Sequence, residues 1–356
     1  MVPLMPHKKL FHASLLAAAL AAAFLAPGAR CDDAPVPRST MGGTGPIANE
    51  LDEQTTKAVT RGLEFLAKNQ SGDGTFNGGG ENVAVTAIAG IAFLANGSTP
   101  DQGPYGTQTK KALDYILANC QESGLVATNG MGSPMYGHGF ATLFLAEAYG
   151  ESPKEEVKEK LQKAIKLMVQ TQNKEGGWRY QPAPNDADLS VTICQIMALR
   201  AARNAGIKVP GKTIERAVDY VKKSQEPDGG FRYMLQSGGS AYPRSAAGVC
   251  CLQYMGIYEG TEIKKGLEYL MKALPGKSNL AMAEGHYFYA NYYATQACFM
   301  AGGDSWNQYW PAIKKELLGK QVADGSWQGE AGVPYATAMA CIMLQVPNRL
   351  LPVLQR

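Results

Sequence analysis

The feature that most constrains this chain is a short motif that returns at a nearly fixed interval. Four segments read Gln-x-x-acid-Gly-small-aromatic: QSGDGTF (Gln70 to Phe76), QNKEGGW (Gln172 to Trp178), QEPDGGF (Gln225 to Phe231) and QVADGSW (Gln321 to Trp327). A degenerate copy, QESG, begins at Gln121, and the glutamines fall 51, 51, 53 and 96 residues apart. The last interval is close to two periods, which places a decayed copy near Leu274–Asn279. A repeat of this length is one supersecondary unit that cannot bury its apolar face alone and must stack on its neighbours.

Each unit reads as two helices. Before the glutamine comes a basic residue, then Gly or Ala, then an aromatic or Leu three residues on. Examples are Arg61-Gly62 with Phe65, Lys111-Ala112 with Tyr115, Lys163-Ala164 with Leu167, Arg216-Ala217 with Tyr220 and Lys265-Gly266 with Tyr269. Apolar positions there recur every three or four residues, the mark of a helix with one solvated face. After the motif, Thr86, Thr142, Thr192, Ser245, Thr295 or Thr337 opens a second run, apolar nearly all round and usually ending at Gly, the expected helix stop. Val/Ile/Thr alternation never persists. The expected fold is therefore all-α: six hairpins, twelve helices, with nearly buried helices in an inner ring and half-exposed ones outside. An open solenoid is the alternative, and it would need polar capping repeats.

Composition narrows the setting. The hydrophobic content of 45% suits a large core. Lys8, Lys9 and Arg30 account for the whole formal charge of +3, so the remainder is balanced and gives no case for nucleic acid. Lys8 and Lys9 precede an apolar run, Ala13 to Ala26, followed by small residues at Ala26, Gly28 and Ala29. That pattern predicts a cleavable export signal over 1–29, a linker over 30–52, the repeats over 53–346 and a closing tail over 347–356. The run is short for a membrane span, and Arg30 before Cys31 is wrong for a lipid-anchor site; an anchored form is the alternative. Cys194, Cys250, Cys251, Cys298 and Cys341 sit in apolar helical runs and read as packed thiols.

The motif set resembles the QW-type repeat of squalene and oxidosqualene cyclases, shared more loosely with protein prenyltransferase β subunits. The resemblance runs from about Thr56 to Gln345. It implies a terpenoid-cyclase-type α/α toroid in which the Gln and the aromatic pin one hairpin to the next. The residues agree: Asp-Gly-Gly fits a turn needing positive φ, and an aromatic fills a groove between helices. In squalene cyclases a DxDD-type motif supplies the acid that protonates an alkene. Here Asp186 and Asp188 match its first two acids and Leu189 replaces the third. Those cyclases also resemble two fused barrels, and this chain has one. Prenyltransferases resemble a zinc site with Asp-x-Cys and a later His; Asp188-Leu189-Ser190 lacks the thiolate and Tyr242-Pro243-Arg244-Ser245 lacks the His. No metal, no cofactor and no definable partner subunit is implied.

The segments between motif and inner helix should converge on one mouth of the ring. The candidate catalytic residues there are Asp188, Asp186 and His286, with Asp188 reading either as a helix cap or as a cavity acid. The candidate ligand-binding residues are Tyr136, His138, Arg179, Tyr180, Arg232, Tyr233, Tyr242, Arg244, Tyr287, Tyr289 and Tyr292. Aromatic walls suit carbocations, sugars or flat apolar ligands, or are plain core. The arginines suit a diphosphate or carboxylate, or pair with Asp186, Asp188 and Glu330. A metal set of His138, His286 and Asp188 has no paired spacing to support it. No phosphate-binding Gly loop, nucleophile elbow or thioester motif is present. Three function classes remain: an exported protein acting on or binding an isoprenoid or other apolar small molecule, a non-catalytic scaffold with eroded motifs, and a carbohydrate-active lyase or hydrolase.

Overall fold

The structure, a computed structural model, describes residues 50–77, 81–128, 130, 132–276, 286–329 and 331–356. The expected signal, most of the linker, part of the decayed copy and Glu330 lie outside the described residues. Twelve α-helices are found among the described residues: α1 Glu53–Asn69, α2 Asn82–Ala95, α3 Gly106–Ala118, α4 Pro134–Glu151, α5 Glu155–Thr171, α6 Leu189–Asn204, α7 Gly211–Lys223, α8 Tyr242–Tyr254, α9 Thr261–Met271, α10 Tyr287–Ala301, α11 Gly303–Lys320 and α12 Val333–Gln345. The fold is the all-α toroid that the periodicity predicts.

The even-numbered helices form the inner ring. Each packs on the next in the order α2, α4, α6, α8, α10, α12, and α12 packs back on α2. They are buried along almost their whole length; in α2 every residue from Val83 to Ala95 is buried. The odd-numbered helices lie outside and bury one stripe each, as α5 does with Val157, Leu161, Ala164, Ile165 and Met168. Small residues let the inner helices approach: a Cβ on Gly139 of α4 would stand 2.6 Å from the Cys194 Cβ of α6. The six described cysteines are free, and all but Cys120 are buried.

The repeat motif is the joint between neighbouring hairpins. The Gln172 carboxamide N–H donates to Gly176 O of its own turn (2.8 Å) and to Thr213 O in the first turn of α7 (2.9 Å). Gln70 bonds Gly74 O and Gln108 O, Gln225 bonds Gly229 O and Glu262 O, and Gln321 bonds Gly325 O and Ala58 O. The last of these closes the ring from end to beginning. The motif glycine has positive φ (+106° at Gly176), and a Cβ there would collide with the Arg216 carbonyl. Gly74, Gly229 and Gly325 meet Lys111, Lys265 and Arg61 in the same way, so the basic-small pattern in each outer helix is the seat for the preceding turn.

The degenerate copy is displaced by one residue from its sequence reading. Gly124 is the positive-φ glycine seated on Lys163, so Cys120, not Gln121, occupies the pin position and Val126 the aromatic one. The Gln121 carboxamide N–H donates to Ala127 O (3.3 Å) of its own turn and does not reach the next outer helix. The hydroxyl series also shifts. Thr86, Thr192, Ser245 and Thr337 each accept the backbone N–H of their motif aromatic at 2.9–3.1 Å. In the second repeat that role falls to His138, whose Nδ1 accepts from Val126 N at 3.2 Å, and not to Thr142. Thr295 bonds Asn291 O within its own helix.

Two glycines separate backbone conformation from close approach. Gly176→Ala and Gly206→Ala both place Ala at positive φ, but nothing lies within 4 Å of a Cβ at Gly206. Both should lose about 1–2 kcal/mol from the left-handed backbone. Gly176→Ala should lose at least ~2 kcal/mol more, because the turn must lift off α7. Urea unfolding of the two variants checks this, and equal losses would remove the seat from the account.

Candidate active site at the mouth of the inner ring

The motif turn that pins the third hairpin also sets the position of Asp188. Trp178 N donates to Thr192 Oγ1 (3.0 Å) and Trp178 O accepts from Asp188 N (3.0 Å), a short bridge between turn and helix start. The Trp178 indole is anchored in turn on Met168 O (2.8 Å). Asp188 is thereby held in extended geometry just before α6, where Oδ1 accepts the Val191 N–H at 2.9 Å. This is an N-cap. Only one carboxylate oxygen is used. Oδ2 is buried, makes no hydrogen bond among the described residues and stands 3.9 Å from the Arg179 Nε.

Capping and chemistry therefore do not compete at this residue. Asp188 is completely buried, and desolvation raises its carboxyl pKa from 3.8 to about 6, against the opposing pull of the Val191 N–H, Arg179 and the Ser190 N–H. The Asp188 charge in turn pushes up the Tyr136, Tyr233 and Tyr289 phenols, whose own burial is the larger cause. These rings form the wall around it. Tyr136 lies on α4 with its ring 6.0 Å from Tyr180, the Tyr180 and Tyr233 hydroxyls are hydrogen-bonded, and Tyr289 OH donates to Ser190 O (3.2 Å). Leu189 N donates to Tyr233 O (3.0 Å) and Met135 N to Tyr180 O (3.2 Å), so three consecutive repeats are tied together at this point.

Arg179 organises the rim. It pairs with the half-exposed Asp186 at 2.6 Å and lies over the Tyr180 and Tyr233 rings at 5.0 and 5.8 Å. Of the two sequence readings of the three arginines, anion site or pairing with nearby carboxylates, the pairing is found at Arg179. Arg232 is spent on Glu226 (2.7 Å) and Leu235 O, and Arg244 on Gly239 O (2.8 Å), with Tyr233 beneath it at 6.0 Å.

Several other candidates are placed elsewhere. His138 is wholly buried in the hairpin joint, and burial lowers its pKa to about 4 against the pull of the Ala164 backbone. It is a neutral structural acceptor, away from the rim. Tyr242 and Tyr287 interact with Tyr309 and Glu316 of α11, in the outer layer, and Lys320 lies over the Tyr287 ring at 5.1 Å. His286 is exposed, in a left-handed conformation (φ 60°) just before α10. Among the described residues, no group of three or more His, Cys, Asp or Glu is arranged to hold a metal. Tyr292 is fully buried lower in the ring, with Tyr293 beside it. Tyr293 belongs to the aromatic run Gly285 to Tyr293 that the sequence already marks as a possible wall or core, whereas Phe140 is not legible as a site residue, because an apolar side chain in an inner helix looks like any other core position.

The family model described as prenyltransferase alpha-alpha toroid domain matches residues 138–329, a stretch that contains Asp188 and the whole rim from Arg179 to Arg244. The chain belongs to this family. Among curated proteins it is similar to drimenyl diphosphate synthase of Streptomyces showdoensis, 25% identical over 188 residues, 51% of this chain and 33% of that protein. The similarity thus spans about a third of the relative's length. Among solved structures it is similar to the type II terpene cyclase MstE from Scytonema, 16% identical with TM-score 0.60, covering 84% of this chain and 100% of that one. A variant of MstE in complex with geranylgeranyl dihydroxybenzoate gives 0.58 over 84% and 98%. An α-1,6-mannanase of Salegentibacter sp. HEL1_6, in complex with α-1,6-mannotriose, gives 0.61 at 10% identity over 83% and 99%. At these identities the solved structures establish the toroid fold alone, which this family shares with them.

The elevated Asp188 pKa fixes a sign for stability. Between about pH 4 and 6 the folded state binds more protons than the unfolded chain, so this carboxyl's contribution is greatest in acid and is lost as pH rises through 6. Asp188→Asn keeps the cap acceptor and removes the titration. The stability of the native protein relative to this variant should fall by roughly 2 kcal/mol between pH 4 and 7. Paired denaturation curves at several pH values measure it; a constant difference would mean that Asp188 is an ordinary ionised cap.

Proposed function

We propose that this chain is an exported toroid that takes an isoprenoid or similar alkenyl ligand at the Asp188 mouth, with Asp188 as the proton donor. The observation that carries this reading is the spare, buried Oδ2 of a carboxyl whose other oxygen is fixed by Val191 N–H. The membership of the family supports it, as do the terpenoid ligands and products named for the similar proteins.

The chemistry follows from the surroundings. The Asp188 O–H bond breaks as its proton adds to one carbon of a C=C bond, whose π electrons form the new C–H bond. The other carbon is left cationic. The departing carboxylate charge is stabilised by the Val191 and Ser190 N–H groups and by Arg179, all in place beforehand. The Tyr136 and Tyr289 rings offer negative faces to the cation. Loss of a neighbouring C–H proton to water or base then restores neutrality, giving an isomerised or cyclised alkene. Arg179, already engaged by Asp186, has less capacity for a diphosphate than a free guanidinium would, which favours a neutral or weakly anionic ligand.

A second reading is a binding toroid without turnover. It is favoured by Leu189, which stands where the cyclase motif carries its third acid and is fully buried against the helix start. A carbohydrate-active reading rests on the fold likeness to the mannanase.

One experiment separates turnover from binding. The mature protein is incubated with prenyl alcohols and the extracts analysed for isomeric products by gas chromatography and mass spectrometry. Turnover should fall about tenfold per pH unit above 6, and Asp188→Asn should lower it at least ~100-fold without lowering Tm. Binding without product in both proteins selects the second reading; undiminished product from Asp188→Asn removes Asp188 from the chemistry.

A further inference from the structure

Six helices packed at the usual 8–10 Å form a hexagon whose opposite axes lie about 16–20 Å apart. Helices with their side chains are about 10–12 Å across, which leaves a bore of roughly 4–10 Å. Large side chains from opposite walls can close such a bore, and here they do. Phe140 of α4 and Tyr292 of α10, diametrically opposed in the ring, meet with ring centroids 6.3 Å apart. Tyr293 packs edge-on against Tyr292 at 4.9 Å, and its hydroxyl reaches Cys194 Sγ of α6 at 3.6 Å. Phe140, Tyr292 and Tyr293 are at most 5% exposed. Tyr289 continues this cluster up to the mouth, 4.8 Å from the Tyr293 ring.

The depth of this crossing is set by helix geometry. Cys194 lies six residues beyond Asp188, and Phe140 four residues beyond Tyr136. At 1.5 Å per residue the crossing stands about 6–9 Å below the rim, a depth comparable to roughly one to two isoprene units. We propose that Phe140, Tyr292 and Tyr293 form a fixed floor across the bore, and that the ligand at Asp188 is a short alkenyl group that ends on this floor. A long isoprenoid threaded down the barrel axis does not fit. This rests on the reading of Asp188 as the acid of the mouth, and it adds the ligand's length and the residues that limit it.

The test compares the full chain with a Phe140→Ala/Tyr292→Ala variant, shown by circular dichroism to be folded. Binding of isoprenol, geraniol, farnesol and geranylgeraniol is measured by calorimetry. Wild type should gain affinity up to the first or second of these and no further. The variant should bind farnesol and geranylgeraniol about tenfold or more tightly than wild type does. Affinity that keeps rising to geranylgeraniol in wild type overturns the floor. A separate readout does not depend on the natural ligand: benzene, which occupies apolar cavities left by large-to-small changes, should raise the Tm of the variant and not of wild type. If no alcohol binds either protein, the alkenyl ligand is refuted, while the benzene response still decides the floor. An equal benzene response in both proteins overturns the floor. Should the double variant not fold, Tyr292→Leu carries the same comparison.

Discussion

A glycine at positive φ, seated against a backbone carbonyl of the next outer helix and locked there by a glutamine carboxamide, is the contact on which the rest of this toroid depends. Its energetics are those of buried polar backbone. The turn carries a carbonyl, Gly176 O, that would otherwise lack a partner, and the same side-chain amide gives a second bond to Thr213 O in the first turn of the following helix. At Gln172 this amide is buried, so losing it would leave the turn carbonyl Gly176 O unsatisfied at a cost of about 1–3 kcal/mol. Because Gln321 reaches Ala58 across the chain's two ends, the same local device turns a linear array into a closed ring. No polar capping repeat is needed once α12 packs on α2.

The joint also connects fold to chemistry. The aromatic that ends the motif gives its N–H to a hydroxyl on the inner helix, and at Trp178 its carbonyl holds the Asp188 N–H. The backbone of the cap residue is therefore located by the joint itself, and its carboxyl is held by the Val191 N–H. One oxygen satisfies the helix N-terminus and the other is left in a buried aromatic setting with a guanidinium at 3.9 Å. Burial disfavours the charge and the cap and cation favour it, so the two act in opposition on one group. Desolvation is the larger, and the proton is held up to about pH 6.

How much of this was legible in the sequence follows from what repeats. The hairpins, the two rings and the position of the mouth are periodic, and each recurrence corroborates the others. Single departures from the period are hidden. At the second joint Gln121 sits beside the true pin position, so the eye aligns on it, while the backbone aligns on Gly124 and puts Cys120 there. The chemistry of His138 suggests a rim residue, yet it stands where the other repeats place Thr or Ser and does the same work. From the sequence Asp188 reads as either cap or acid, because a one-letter code cannot divide a carboxylate into its two oxygens. The Phe140–Tyr292 crossing depends on which helices are opposite one another, a property of ring closure that no local pattern contains.

The central claim is that Asp188 caps α6 with one oxygen while holding a proton at near-neutral pH. The most direct measurement is the protonated-carboxyl stretching band in the infrared, assigned by its absence in Asp188→Asn and followed from pH 3 to 9. The account predicts a band that persists through pH 5 and disappears with a midpoint near 6. A carboxyl already ionised at pH 4.5 would contradict it, and Asp188 would then be a helix cap alone.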